Sequence, residues 1–476
     1  MLLSVHSVRS LLGGCKGAGA RDLQAWTGAA APDHVDITVP RAAGEGGKGM
    51  AFSNSRRTSA VALGSLLGAT LSLPRHAASQ GPGSPRSLEG AWAALAAQAY
   101  GTSIVSHGAD PSGATPSDAA LDAAVAAAPS SSGGYGGLVY IPPGRYLFKQ
   151  PHVISRQRVH VVGAGQWATT LVYRPSDDHT AFLTYSAGAS ISNECSLRDL
   201  TVFSDDATHT KTAIRAVDTS ALSVRNVRVT GTVRSLRSLC WGGGRSGSIA
   251  LHMLGREATD ISNFYAYADR PILLDRNPNM SGRQAIDCDH AHFCNLYLYA
   301  TQHPCIEAVS GLNLTNATFD GYQAWVGGTH GFYWADSAST SVSVNLRFAN
   351  VRLEQGVDRG AYSFYIARSA NMAMLSFLNI RNDPGRRGWF LRNCSDVRLE
   401  STVHEGPTLA LDVDASVRRL SGTYTFWQGG TTASLGGQKM VWSTPKSFST
   451  AALPPNFVLD EAAGPQLNAE TEAHQT

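Results

Sequence analysis

The sequence predicts an all-β chain wound as a parallel β-solenoid, and two observations carry that prediction. From about residue 195 to 400, apolar-alternating runs reach an Asn or Asp at which the alternation slips by one residue: CSLRDLTV, LSVRNVRV, TDISNFYA, HFCNLYLY, LNLTNATF, LRFANVRL, LSFLNIRN and CSDVRL. The corner residues are Asp199, Asn226, Asn263, Asn295, Asn316, Asn350, Asn379 and Asp396. An apolar residue stands two positions before each: Leu197, Val224, Ile261, Phe293, Leu314, Phe348, Phe377 and Cys394. Strand side chains alternate with period two, so a one-residue slip marks a bend between two short strands. An amide repeated at every bend can stack on its copies and satisfy the corner's backbone groups. The second observation is spacing: by subtraction, successive corners lie 27, 37, 32, 21, 34, 29 and 17 residues apart, one coil plus a variable loop each. A coil cannot bury its own apolar face, so such units are stable only as a stack. An antiparallel sandwich, with a strand every 8–12 residues or about that, gives no reason for equivalent corners.

The elements follow in order. Residues 1–49 are rich in Gly and Ala and without period, and read as an extension outside the fold. Residues 50–79 read as an export signal. Met50 is followed by paired Arg56 and Arg57, an apolar stretch from Ala60 to Leu73 and the small-residue site Ala77-Ala78-Ser79. This is the pattern of a twin-arginine signal, which implies a periplasmic or extracellular protein. The apolar stretch is too short to span a membrane. Residues 80–100 form a linker, 101–445 the solenoid with its cap, and 446–476 a flexible tail. Within the solenoid, Ser117 is a good N-cap for a helix over Ala119–Ala128, followed by a strand at Leu138–Ile141 and a turn at Pro142-Pro143-Gly144. A helix there covers the open first coil and its strand edges.

Charged residues make up 16% of the chain and the formal net charge is +3, which supplies no attraction to nucleic acid or to a membrane surface. Six of the seven cysteines, Cys195, Cys240, Cys288, Cys294, Cys305 and Cys394, fall in the solenoid without metal-ligand spacing. They read as small buried hydrophobes, with one or two disulfides open to an oxidising compartment.

The segments GADPSGATPSDAALDAAVAAA and GGLVYIPPGRYLF resemble the entry of the pectate-lyase-like superfamily of right-handed parallel β-helix proteins, which includes polygalacturonases, polysaccharide lyases and tailspikes. The resemblance spans about Thr102 to Gly430. It implies a single-stranded right-handed parallel β-helix with an N-terminal capping helix, a polysaccharide or oligosaccharide partner, and an assembly compatible with a homotrimer. It implies no cofactor for a hydrolase and admits Ca²⁺ for a lyase. The polygalacturonase motifs, a spaced Asn-Thr-Asp, an Asp-Asp pair and a Gly-His-Gly, are not found in order; Asp205-Asp206 lies too early and lacks its companions.

Stacking the coils by their corners gives a grid. Four residues past the corners the outward file includes Tyr267, Tyr299, Asp320 and Glu354, and two residues past them it includes Arg228, Tyr265, Tyr297, Arg352 and Arg381. Asp320 and Glu354 then neighbour one another, as an acid/base pair requires; a solvated ladder with Arg352 is the competing reading. The segment from Gly321 to Trp334 packs five aromatics and His330 into fourteen residues. Trp325 and Tyr333 are candidates to line a groove, while Phe332 and Trp334 fill the core. In the superfamily the groove runs along the strand after such a loop, where Arg215, His252, Glu307 and Tyr333 are the outward residues. Asp287 and Asp289 share one strand face and offer a second acid pair, with His290 and His292 on the other. Arg270 and Arg352 are candidates to meet an anionic sugar, and His330 to bind substrate beside Trp325 and Tyr333. The reading is a secreted glycoside hydrolase acting through a carboxylate pair. The alternatives are a lyase, a non-catalytic or tailspike-like glycan binder, and an epimerase or transglycosylase.

Overall fold

The structure is a computed structural model. It describes residues 101–128, 137–186, 194–217, 219–232, 239–255, 257–281, 287–309, 311–326, 329–336, 343–354, 361–382, 387–404, 409–423 and four short strands between 426 and 459. The extension, the export signal and the linker lie outside the described residues. Most of the expected tail does too, but Phe457–Leu459 pairs in parallel with Met440–Trp442, so strand pairing runs past the boundary set at 445.

One long sheet of parallel pairs winds through the chain. Residues two positions before the corners stack coil on coil: Leu197 opposite Val224, Val224 opposite Ile261, Ile261 opposite Phe293. The file continues through Phe319, Phe348, Phe377 and Leu399. Parallel crossovers of this kind wind right-handed. The chain is a single-stranded right-handed parallel β-helix.

The predicted corners have a backbone cause. Asp199, Asn226, Asn263, Asn295, Asn350 and Asn379 all adopt left-handed φ between 49° and 59°. That region costs L-residues about 1–2 kcal/mol and is visited most readily by Gly, Asn and Asp. Their side chains then pair along the helix axis. The amides of Asn226, Asn295 and Asn379 donate to Asp199, Asn263 and Asn350 at 2.8, 2.5 and 2.8 Å.

Two corners belong elsewhere. Asn316 and Asp396 lie in a second left-handed column: Arg158, Glu194, Ala221, Ala258, His290, Asn316, Asn345, Met374, Asp396 and Arg419, with φ from 36° to 57° apart from Asn345 at 59°. In the eight coils from Glu194 to Asp396 the second column precedes the first by five residues, as in Asn345 and Asn350. The first-column corners opposite Asn295 and Asn379 are therefore Gly321 (φ 64°) and Ser401 (φ 52°). With these in place, the spacings become by subtraction 27, 37, 32, 26, 29, 29 and 22, closer to a constant coil.

Phe293, Phe319, Phe348 and Phe377 form a stacked file with centroids 4.6, 5.1 and 5.3 Å apart. Phe332, Phe364 and Trp389 pack against it edge-on. All are fully buried, worth about 1.5–3 kcal/mol each. A buried polar cluster ties the turn at Gly311 and Leu312 to the strand end at Asp336. Arg368 and Asp336, both fully buried, pair at 3.1 Å. Arg368 also donates to the Leu312 carbonyl and lies 4.0 Å over Trp334. Asp336 accepts the Gly311 N–H.

The helix Asp118–Ala127 caps the first coil and buries Ala120, Leu121, Ala124 and Val125. Ser117 does not cap it by side chain; its Oγ accepts the Asp110 N–H instead. Asp118 accepts the Lys149 and Gln150 N–H groups, and buried His152 bridges Asp122 and Asp118 at 2.7 and 3.1 Å. Burial works against charge on His152, but the two carboxylates outweigh it and raise its pKa.

Candidate functional site

The three strands of each coil present three outward files. On the strand that follows the long loop, register stacks Thr184, Arg215, His252, Leu273, Glu307, Tyr333, Tyr365, Phe390 and Asp412. The expected outward set Arg215, His252, Glu307 and Tyr333 is thus one file, and Glu307 lies directly opposite Tyr333. This face divides into a charged part and an aromatic part.

In the charged part, Arg270 Nε stands 3.4 Å from Glu307 Oε2, without hydrogen-bond alignment. His252 Nε2 lies 3.1 Å from Asp275 Oδ2. Burial pushes the Asp275 carboxyl upward, but the His252 contact and the Arg276 N–H outweigh it and hold its pKa below the usual value. Arg215 stacks behind His252, and its Nε finds no hydrogen-bond partner among the described residues. Asp275 and Glu307 are one coil apart and two residues apart along the strand, since Leu273 faces Glu307. A strand spacing of about 4.8 Å and a rise of about 6.6 Å set their backbones roughly 8 Å apart.

In the aromatic part, Tyr333, Tyr365 and Phe390 stack with centroids 5.1 and 4.5 Å apart. His330 lies 5.1 Å from Tyr333 and 5.0 Å from Tyr365. Its Nδ1 accepts the Tyr362 N–H, which leaves the proton of the neutral ring on Nε2. Burial pushes the Tyr333 phenol up, with Tyr365 and Glu307 adding to the effect. Tyr362 donates to Asp412 at 2.6 Å and accepts from Arg387. Burial, followed by that carboxylate bond, takes its pKa to about 12.

The Asp320–Glu354 pair is not assembled. Because the corner is Gly321, Asp320 precedes it and faces Ala349, while Glu354 follows its own corner and faces Trp325. Asp320 instead accepts the Asn350 amide at 2.7 Å, supplying the side-chain oxygen that Gly321 lacks. Glu354 accepts from Gln323 at 2.7 Å and lies 3.6 Å from Arg352. Trp325 continues the file of Tyr267 and Tyr299, on a different strand face from Tyr333. Phe332 and Trp334 are fully buried, as expected.

Asp287 and Asp289 also serve the coil. They accept the amides of Asn313 at 2.8 Å and Asn316 at 3.3 Å from the next coil. The left-handed corner at His290 resets the alternation, so His292 faces outward beyond it rather than on the opposite face.

Asp275, Tyr365, Phe390 and Asp412 were not singled out from the sequence. Their common signal is the outward position one residue after an inward apolar residue: Leu274, Phe364, Trp389 and Leu411.

Residues 101–238 match the family described as rhamnogalacturonase A/epimerase, pectate lyase-like. No curated protein matches the chain. Among solved structures, the Azotobacter vinelandii mannuronan C-5 epimerase AlgE6 A-module is 13% identical at a TM-score of 0.43, covering 75% of this chain and 97% of that one. The Agl-KA catalytic domain is 12% identical at 0.44, covering 70% and 68%. The Streptococcus pneumoniae surface protein and adhesin PfbA is 11% identical at 0.39, covering 71% and 99%. Likenesses at this level leave the reaction open. The chain is a right-handed parallel β-helix whose first coils match a pectate lyase-like family model.

Proposed function

We propose that the protein is a carbohydrate-active enzyme that cleaves a glycosidic bond on the face carrying Glu307, with Asp275 and Glu307 as its two carboxyl groups. The observation that carries this reading is their placement on adjacent coils beside the stack of Tyr333, Tyr365 and Phe390. Sugar rings lie on aromatic planes, and hydrolysis needs one carboxylic acid and one carboxylate. Asp275, kept ionised by His252, is the base that activates water. Glu307 is the acid, and Arg270, 3.4 Å from it, is the group that meets an anionic sugar. His330, packed between Tyr333 and Tyr365, holds that aromatic surface in place.

A lyase is the second reading. Arg215 and Arg270 on the same face would neutralise the carboxylate of an acidic glycan. Tyr333 is a poor base for it, because burial raises its pKa. A periplasmic or extracellular place of action, from Arg56 and Arg57, belongs to the same proposal.

Incubation of the protein with a panel of neutral and acidic polysaccharides tests the reading. Hydrolysis predicts new reducing ends without the ultraviolet absorbance of an unsaturated uronate. Such absorbance would make the enzyme a lyase. Binding without any product would make the face a glycan-binding surface.

A further inference from the structure

The strand face between the two corner columns carries a cluster that the proposed reaction does not use. Asp260 lies opposite His292, and Cys294 follows on the same outward side, with fully buried Phe293 between them. One carboxylate oxygen, one imidazole nitrogen and the thiol sulfur all lie within 4.8 Å of one another. We propose that Asp260, His292 and Cys294 bind a borderline-soft divalent ion of the zinc type.

The donor set decides the class of ion. Thiolate and imidazole ligands select zinc and its neighbours over Ca²⁺ or Mg²⁺, which prefer oxygen. Three protein ligands leave a fourth, open position for water or an outside ligand. In a tetrahedral site, metal bonds of about 2.0–2.3 Å hold ligand atoms roughly 3.3–3.8 Å apart. The cluster therefore closes by about 1 Å on binding, within the reach of χ rotations on a half-exposed surface.

The surroundings fit. Arg225 donates to Asp260 Oδ2, which turns Oδ1 toward His292 Nδ1 at 3.6 Å. Ligating carboxylates are commonly oriented by such an outer hydrogen bond. Asp320 stands opposite Cys294 on the next coil and adds negative charge beside the thiol. The sequence hides the site because its ligands come from different coils. Cys294 and His292 are two residues apart, but Asp260 is 32 residues before His292, by subtraction.

The competing explanation is an ion pair of Asp260 with Arg225 and His292. Cys294 adds nothing to an ion pair and is indispensable to a soft metal site, so the test turns on the sulfur. The metal-free full chain is titrated with Co²⁺. The proposal expects one equivalent to produce a thiolate-to-cobalt charge-transfer band, which Zn²⁺ then removes. Cys294→Ser abolishes the band, and His292→Gln weakens Co²⁺ binding at least tenfold. Circular dichroism of both metal-free variants should match the parent. His292 is exposed enough that its variant carries the test should Cys294→Ser misfold. Absence of the band in the parent, its persistence in Cys294→Ser, or unchanged Co²⁺ affinity in His292→Gln would overturn the assignment.

Discussion

The two left-handed columns solve the same backbone problem with different chemistry. The first is built from Asn and Asp at six of its eight positions between Asp199 and Ser401, with amides donating from coil to coil. The second admits Arg, Glu, Ala, His, Met, Asn and Asp, and among them only Asn316 and Asn345 extend an amide ladder, from Asp289. Identical φ therefore does not impose identical residues. Where an amide must bond its copy, the residue is held to Asn or Asp; in the second column contacts of other kinds, such as Arg158 with Glu194 and Arg419 with Asp396, also join adjacent coils. The first column repeats in the sequence, and the second is nearly silent there.

The largest loss is expected at the buried Arg368–Asp336 pair, which belongs to neither column. Arg368→Ala leaves Asp336 charged and buried, and should destabilise the fold by about 3–5 kcal/mol in chemical denaturation. Little loss would mean that the coils around Gly311 and Leu312 hold without this pair. Asn350→Ala removes a donor to Asp320 and an acceptor for Asn379. It should cost about 1–3 kcal/mol, read as a lower melting temperature. A wild-type melt would reduce the ladder to decoration.

How much could be read beforehand follows from this difference. The coil repeat, the inward file and the capping helix were legible, because apolar alternation and Asn corners are local signals. The coil containing Asn316 and Gly321 was misaligned because it offers an Asn in the column that tolerates anything and a Gly in the column that usually wants Asn. That five-residue error moved Asp320 into the wrong file and created a false acid pair with Glu354. The file of Arg215, His252, Glu307 and Tyr333 was found correctly, since it was aligned independently of that corner. The triad of Asp260, His292 and Cys294 could not be found by spacing, because its spacing is that of a coil with an inserted loop.

The cap offers a smaller effect, of about 1–2 kcal/mol. His152 has a raised pKa in the fold, so its contribution is complete below its unfolded pKa of about 6.5 and is lost as pH rises through the raised value. Asp118 is pushed up by burial but held low overall by His152 and backbone N–H bonds. Its contribution is present above about 3.9 and lost as pH falls through the lowered value. Melting temperatures against pH should decline above neutrality, and His152→Gln should flatten that decline. The smallest effect is a gain. Met374 is half exposed in a left-handed corner opposite Asn345. Met374→Asn relieves that strain and extends the ladder, raising stability by up to about 1 kcal/mol. A drop in melting temperature would show that the second column resists a ladder.

The central claim is that Asp275 and Glu307 do chemistry while Asp320 and Glu354 hold coils together. The most direct test is turnover by Glu307→Gln, Asp275→Asn, Asp320→Asn and Glu354→Gln on one identified polysaccharide, with melting temperatures alongside. The first two should lose about 10²–10⁴-fold in turnover with little change in melting, the range that general acid–base groups supply. The last two should keep turnover within a few-fold. Full activity in Glu307→Gln and Asp275→Asn, or its loss in a folded Asp320→Asn, would contradict the assignment.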